Sequence, residues 1–147
     1  MKKELIDFLK KNLTTSYLQD FGIKKQFIEL KFVSEVYDEI MFFIDCRIFS
    51  TNSKVNNTVE LLKEGCVDTF EIGYFIFVNN KSIIDVKITE KGNLLLLFSN
   101  ELSIIFDLNS VEYFNIAITF REKKSSDYVS IIMNGELDFQ MSDVRYH

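Results

Sequence analysis

The stretch FNIAITFREKKSSDYVSIIMNGELDFQM, residues 114–141, decides the fold. Phe114, Ile116, Ile118 and Phe120 alternate with Asn115, Ala117 and Thr119. Val129, Ile131 and Met133 follow in the same rhythm. Leu137, Phe139 and Met141 then alternate with Glu136, Asp138 and Gln140. A period of two puts every apolar side chain on one face of an extended chain, the pattern of a half-buried strand. Asn134-Gly135 supplies the two left-handed residues of a tight hairpin turn. The polar run 121–127 supplies a solvated loop, and the tail 142–147 reads as loose. Three strands joined by short connections pair antiparallel.

Working towards the N-terminus, the same reading repeats. Leu102, Ile104 and Phe106 alternate after the turn Asn100-Glu101. Leu94–Phe98 is continuously apolar, as expected of a strand covered on both faces. Ile84, Val86 and Ile88 alternate with Asp85 and Lys87, and Phe70–Val78 reads as a long apolar strand ending at the turn Asn79-Asn80. Asn57, with Glu60 three residues on and Gly65 beyond, predicts a short capped helix after a polar loop over 50–57. Ile40–Ile44 is a second continuous run, with Cys46–Phe49 as its return strand. Ile28, Leu30 and Phe32 alternate with Glu29 and Lys31. Ser16 with Gln19 predicts one further helical turn ended by Gly22.

The first segment differs. Leu5, Ile6, Phe8, Leu9 and Leu13 fall in an arc of roughly 160° at helical spacing, with Lys3, Glu4, Asp7, Lys10 and Lys11 opposite. An amphipathic helix of this kind packs on a sheet. The expectation is therefore a single α+β domain spanning residues 1–147. Its N-terminal helix packs on a curved, mostly antiparallel sheet, either a meander or two layers. The likeness between residues 39–44 and 93–98, each apolar and each followed by another strand, leaves an internal duplication open.

Length and composition fit this. The chain has 147 residues, 47% hydrophobic and 27% charged, with 15 Phe and no Pro. One domain of this size buries a sufficient core without disulfide or metal staples. Cys46 and Cys66 lie in apolar surroundings without a paired spacing, and are expected as buried thiols in a reducing compartment. The start carries no signal-peptide pattern and no apolar run approaches a bilayer span. These features predict a cytoplasmic protein with no membrane partner.

The catalytic inventory is thin. The one histidine is His147, at the terminus, where it cannot be held as a base. Neither phosphate-loop pattern occurs, and zinc sites of the usual His and Cys kinds are excluded by count. Asn52, Asn56, Asn57, Asn79 and Asn80 form no calcium frame and read as turn formers. No cofactor, metal or catalytic residue is expected, and the chain is read as a non-enzyme.

Charge points to a binding role. The net charge is −5 and the pI about 4.9, unsuited to nucleic acid. Residues 1–31 carry seven lysines and four acids, so the negative excess lies beyond them. Glu35, Asp38, Glu39, Asp45, Glu60, Glu64, Asp68 and Glu71 face only Arg47, Lys54 and Lys63 before residue 77. Its plain reading is a solvated face; its sharper reading is a surface for a cationic partner. Tyr37 beside Glu35 and Asp38 has the make-up of an interface anchor among carboxylates.

Residues 94–104, LLLLFSNELSI, resemble the hairpin L-x-L-x-F-x-D/N-G-x-x-L of uncharacterised bacterial α+β domains, with Glu101 in place of the turn glycine. Glu112-Tyr113-Phe114 resembles their E-x-W step, with Phe114 for Trp. Asn134-Gly135-Glu136-Leu137 resembles their terminal G-G-E-L hairpin, with Asn134 for the first Gly. Over roughly residues 90–140 the chain is similar to these domains and to immunity proteins of bacterial polymorphic toxins and contact-dependent growth inhibition systems. That resemblance implies a cytoplasmic antitoxin that binds one cognate toxin domain. It transfers no catalytic or ligand residue. From the charge, the toxin is expected to be a nuclease, met by Glu35, Tyr37, Asp38, Glu39, Asp68 and Glu71. The alternatives are an uncharacterised cytoplasmic structural or adaptor domain, and a carrier of a small apolar ligand. Strand order and oligomeric state are not specified by the sequence.

Overall fold

The structure is a computed structural model that describes residues 2–23, 27–52, 57–62, 75, 78–109, 116–123, 128–133 and 139–144. Helix α1 spans Lys2–Leu13. Among the described residues eleven strands follow: β1 (Tyr17–Ile23), β2 (Ile28–Val33), β3 (Tyr37–Ile44), β4 (Ile48–Asn52), β5 (Asn57–Leu62), β6 (Ile83–Ile88), β7 (Leu94–Phe98), β8 (Leu102–Phe106), β9 (Ile116–Glu122), β10 (Tyr128–Met133) and β11 (Phe139–Val144). They form a six-stranded sheet, β1-β2-β3-β9-β10-β11, and a five-stranded sheet, β5-β4-β8-β7-β6. Every strand pair within them is antiparallel. The architecture is the expected α+β arrangement in its two-sheet form. No described helix is long and apolar enough to cross a membrane.

The sheets share one ribbon. β3 pairs with β9 as far as Ile44 opposite Ile116, and β4 pairs with β8 from Ile48 opposite Phe106. Residues 37–52 thus contribute to both sheets, beside β9 in one and β8 in the other. At the bend, the Asp107 amide donates to the Arg47 carbonyl at 2.9 Å. The expected return strand is corrected here: β4 does not fold back on β3, whose two sides are already taken by β2 and β9. β7 does return directly as β8. The likeness between the two apolar runs therefore does not extend to their pairing.

Alternation packs the space between the sheets. Ile40, Phe42 and Ile44 of β3 are fully buried, as are Leu94, Leu96 and Phe98 of β7. Their alternate neighbours Met41, Phe43, Leu95 and Leu97 are only half-buried, so both continuous runs have one core face rather than two. Phe42 contacts Phe32 of β2 at 5.1 Å between ring centroids and Phe106 of β8 at 6.0 Å. Phe32 stacks on Phe98 at 6.3 Å. Each such aromatic pair adds about 0.5–1.5 kcal/mol beyond the area it buries.

Helix α1 packs as the sequence predicts. Leu5, Leu9 and Leu13 are at most 1% exposed, and the Phe8 ring stands edge-on to Phe120 of β9 at 5.3 Å. On the other side α1 lies along β6, where Lys10 meets Asp85 at 3.8 Å. Both side chains of that pair are well exposed, so it contributes little.

Several local readings are overturned. Ser16 does not cap a second helical turn; its hydroxyl donates to the Leu13 carbonyl at 2.6 Å and closes the end of α1. The chain then enters β1, whose period is hidden by a bulge between Leu18 and Asp20. The helix expected after Asn57 is instead strand β5, because β4 offers a ladder from Ile48 to Asn52. That ladder also takes Ser50–Asn52 out of the expected loop. A bulge between Ile83 and Asp85 turns Ile84 out, half exposed, and Ile83 into the core. Phe75 and Val78 are helical and buried rather than extended. Arg121 and Glu122 belong to β9, and Ser142–Val144 to β11. Gly65, Cys66 and the Asn134-Gly135 turn lie outside the described residues; Cys46 is buried.

A second seam joins the sheets beside α1. The Thr15 amide donates to the Ile83 carbonyl at 2.9 Å, and the Ile83 amide to the Ser16 carbonyl at 2.8 Å. The Asn80 amide donates to the Leu18 carbonyl at 2.7 Å. Two non-glycine residues there have left-handed backbones, Thr15 at φ 74° and Asn80 at φ 62°. Asparagine tolerates that region, whereas a β-branched residue is strained in it.

Replacing Leu9 with Ala should destabilise the protein by about 2–5 kcal/mol in urea unfolding, the range for a fully buried leucine. Replacing Thr15 with Gly should stabilise it by about 1 kcal/mol, because relief of the left-handed strain exceeds the added chain entropy of glycine.

Candidate protein-binding site

The β2–β3 turn, Ser34-Glu35-Val36-Tyr37, is built by one serine. The Ser34 hydroxyl accepts from the amides of Val36 at 3.3 Å and Tyr37 at 3.0 Å. The Ser34 amide donates to the Tyr37 carbonyl at 3.2 Å, which closes the hairpin. Just after β9, the Lys123 amide donates to the Val36 carbonyl at 3.2 Å. Short side-chain acceptors of this kind fix turns without help from packing.

Tyr37 is not the exposed anchor expected from the sequence. A bulge between Tyr37 and Glu39 turns Tyr37 inward, where it is only 8% exposed. Its ring packs on Phe120 at 5.3 Å, and its hydroxyl donates to Asn12 Oδ1 of α1 at 2.7 Å. The Asn12 amide group in turn donates to the Phe8 carbonyl at 2.8 Å. Burial raises the phenol pKa above its ordinary value, and the Glu122 carboxylate raises it further. Tyr37 therefore ties the turn to the helix.

The same bulge sends Asp38 outward. Glu35 and Asp38 are exposed, while Glu39 is half-buried on the outer face of the six-stranded sheet. Glu39 pairs with Arg121 of β9 at 3.7 Å. The register sets Tyr37 opposite Glu122 and Glu39 opposite Arg121, so β9 brings Arg121, Glu122 and Lys123 to the same end of the sheet. The structure thus joins Glu35, Asp38 and Glu39 around one turn, with basic residues among them. Asp68 and Glu71 lie outside the described residues. Sequence reasoning missed Val36, Asn12, Arg121 and Lys123. Only Val36 carried a local signal, an apolar β-branched side chain at a turn position.

Two further open grooves are lined by described residues, the first of them reaching Glu39. One, of about 310 Å³, crosses the outer face from Asp20 and Gly22 past Glu29 and Lys31 to Glu39 and Met41. The other, of about 530 Å³, lies between Phe49 and Ile105, with Thr89, Glu90, Lys91 and Asn93 at its edge. The Arg47 guanidinium sits over the Phe49 ring at 5.1 Å and faces Asp107 at 3.9 Å. Asn93 is held in place there, its Oδ1 accepting from the Leu108 amide at 3.1 Å and from Asn109 Nδ2 at 2.8 Å. Among the described residues no group of three or more His, Cys, Asp or Glu is placed to hold a metal ion. No protein-family model, curated protein or solved structure matches the chain.

Tyr37→Phe keeps the ring and removes the hydrogen bond to Asn12, and should cost about 1 kcal/mol. The raised phenol pKa means the folded state holds its proton more tightly than the unfolded state does. That contribution is complete below the unfolded pKa of about 10 and is lost as pH rises through the higher folded value. In urea titrations from about pH 8 to about pH 11, the wild type should lose more stability than Tyr37→Phe.

Proposed function

We propose that this chain is an immunity protein, a cytoplasmic and non-enzymatic antitoxin that binds one cognate bacterial toxin domain, a nuclease, and neutralises it. The observation that carries the reading is the β2–β3 turn. Glu35 and Asp38 project from a backbone whose hydrogen bonds are already made by Ser34 and Lys123. Carboxylates presented this way lose little freedom on binding, because the main chain beneath them is already ordered.

A nuclease must offer Lys and Arg to phosphates, and carboxylates fit the same positions. The electrostatic part of such an interface acts on encounter. Exposed rim charges accelerate association and weaken with salt, since the Debye length is about 8 Å at physiological ionic strength. Arg121 and Lys123 interrupt the acidic surface beside the tip and Glu122 adds to it, so the proposed nuclease contact centres on Glu35 and Asp38. Glu39, already paired with Arg121, sits at its edge. Tyr37 enters as the residue that holds the tip on α1. Asp68 and Glu71 complete the proposed acidic set.

The test is binding of the full chain to the toxin domain encoded by the adjacent gene, at low and moderate salt. Single reversals Glu35→Lys, Asp38→Lys, Glu39→Lys, Asp68→Lys and Glu71→Lys are compared with wild type. Glu35→Lys and Asp38→Lys should slow association about tenfold at low salt and less at moderate salt. Wild-type association by all five variants at both salts would reduce the acidic face to solvated surface.

A further inference from the structure

Val36 breaks a local rule and leaves most of its side chain exposed. Turn positions favour Gly, Asn, Asp and Ser, whose backbones or short polar side chains suit them. A β-branched apolar residue stands here instead, and its side chain is 61% exposed, the most of any large hydrophobic described. Its backbone needs nothing from that side chain: the amide donates to Ser34 Oγ and the carbonyl accepts from the Lys123 amide. The frame beneath is rigid, because the next residue, Tyr37, is buried on Phe120 and bonded to Asn12. Local rules are broken in this manner where a site serves something other than folding.

We infer that Val36 is the apolar anchor of the toxin interface, and that the toxin surface facing it is a small apolar socket flanked by Lys or Arg side chains. This rests on the immunity reading above. Exposed Glu35 and Asp38 stand on either side of Val36 along the chain, which gives an apolar centre with a charged rim. In such an arrangement the rim guides encounter, and the desolvated centre holds the complex together. Carboxylates and Val36 therefore act on different rate constants: the carboxylates on association, Val36 on dissociation.

The experiment measures association and dissociation of the full chain with the toxin domain encoded by the adjacent gene. It uses wild type, Val36→Asn and Val36→Ile, with thermal unfolding of each. Val36→Asn should unfold at the wild-type temperature, dissociate at least about tenfold faster and associate within about twofold of wild type. Val36→Ile should keep wild-type dissociation to within about twofold. Dissociation of Val36→Asn within about twofold of wild type would overturn the anchor while leaving the immunity reading intact. A lowered melting temperature for Val36→Asn would also overturn it, by giving Val36 a role in the fold. Failure of the wild type itself to bind would remove the immunity reading and the anchor together.

Discussion

Ile44 faces Ile116 in one sheet, and Ile48 faces Phe106 in the other. Residues 37–52 thus pair with β9 in one sheet and with β8 in the other. A strand that leaves a sheet alone must abandon its ladder and leave amides and carbonyls to be satisfied elsewhere. Here β4 leaves β3's sheet directly onto β8, and the Asp107 amide bonds the Arg47 carbonyl next to the first β4–β8 pair. The remaining strands add to this ribbon on both sides. β2 and β1 extend it beyond β3, and β10 and β11 beyond β9; β5 flanks β4, and β7 and β6 flank β8. The phenylalanines that fill the interior are aligned by it, since Phe42 and Phe106 belong to ribbon strands.

The helix and the seam secure a second edge. Leu5, Leu9 and Leu13 need apolar cover that one sheet edge alone does not give, and α1 finds it against both β6 and β9. The direct bonds among Thr15, Ser16 and Ile83 then set where β1 begins relative to β6. Strain at Thr15 is tolerated because those bonds and the burial on either side over-determine its backbone. Through Asn12 and Tyr37, the position of α1 is passed on to the β2–β3 turn. The candidate site is thus a surface turn braced by the core.

Charge at that turn is more mixed than the sequence suggests. Glu39 opposes Arg121, and exposed Glu122 and Lys123 follow it, the Lys123 amide donating to the Val36 carbonyl. An acidic run along the chain becomes an acidic patch in space only if the neighbouring strand brings no opposite charge, and β9 sets Arg121 as well as Glu122 against β3. What remains uncompensated is the tip itself, Glu35 and Asp38, with an apolar residue between them.

The sequence by itself determined the helix, the apolar faces and the antiparallel class. Helical spacing in residues 5–13 and period-two spacing in β2, β9 and β10 follow from backbone geometry alone, so they are legible without a partner. The site was legible only in part: Glu35, Asp38 and Glu39 could be read from their charge, while Tyr37 could not be told from an exposed anchor. Its inward turn depends on a bulge, and a bulge exists only relative to the strand opposite. The same dependence hid Ile83, β1 and β5, each of whose faces or states is set by a neighbour remote in sequence. Sheet membership was likewise decided by tertiary structure. Nothing in residues 46–49 distinguishes a strand that returns on β3 from one that turns the corner with β8. That choice rests on which edges are already taken, a property of the assembled sheet and not of any segment of chain.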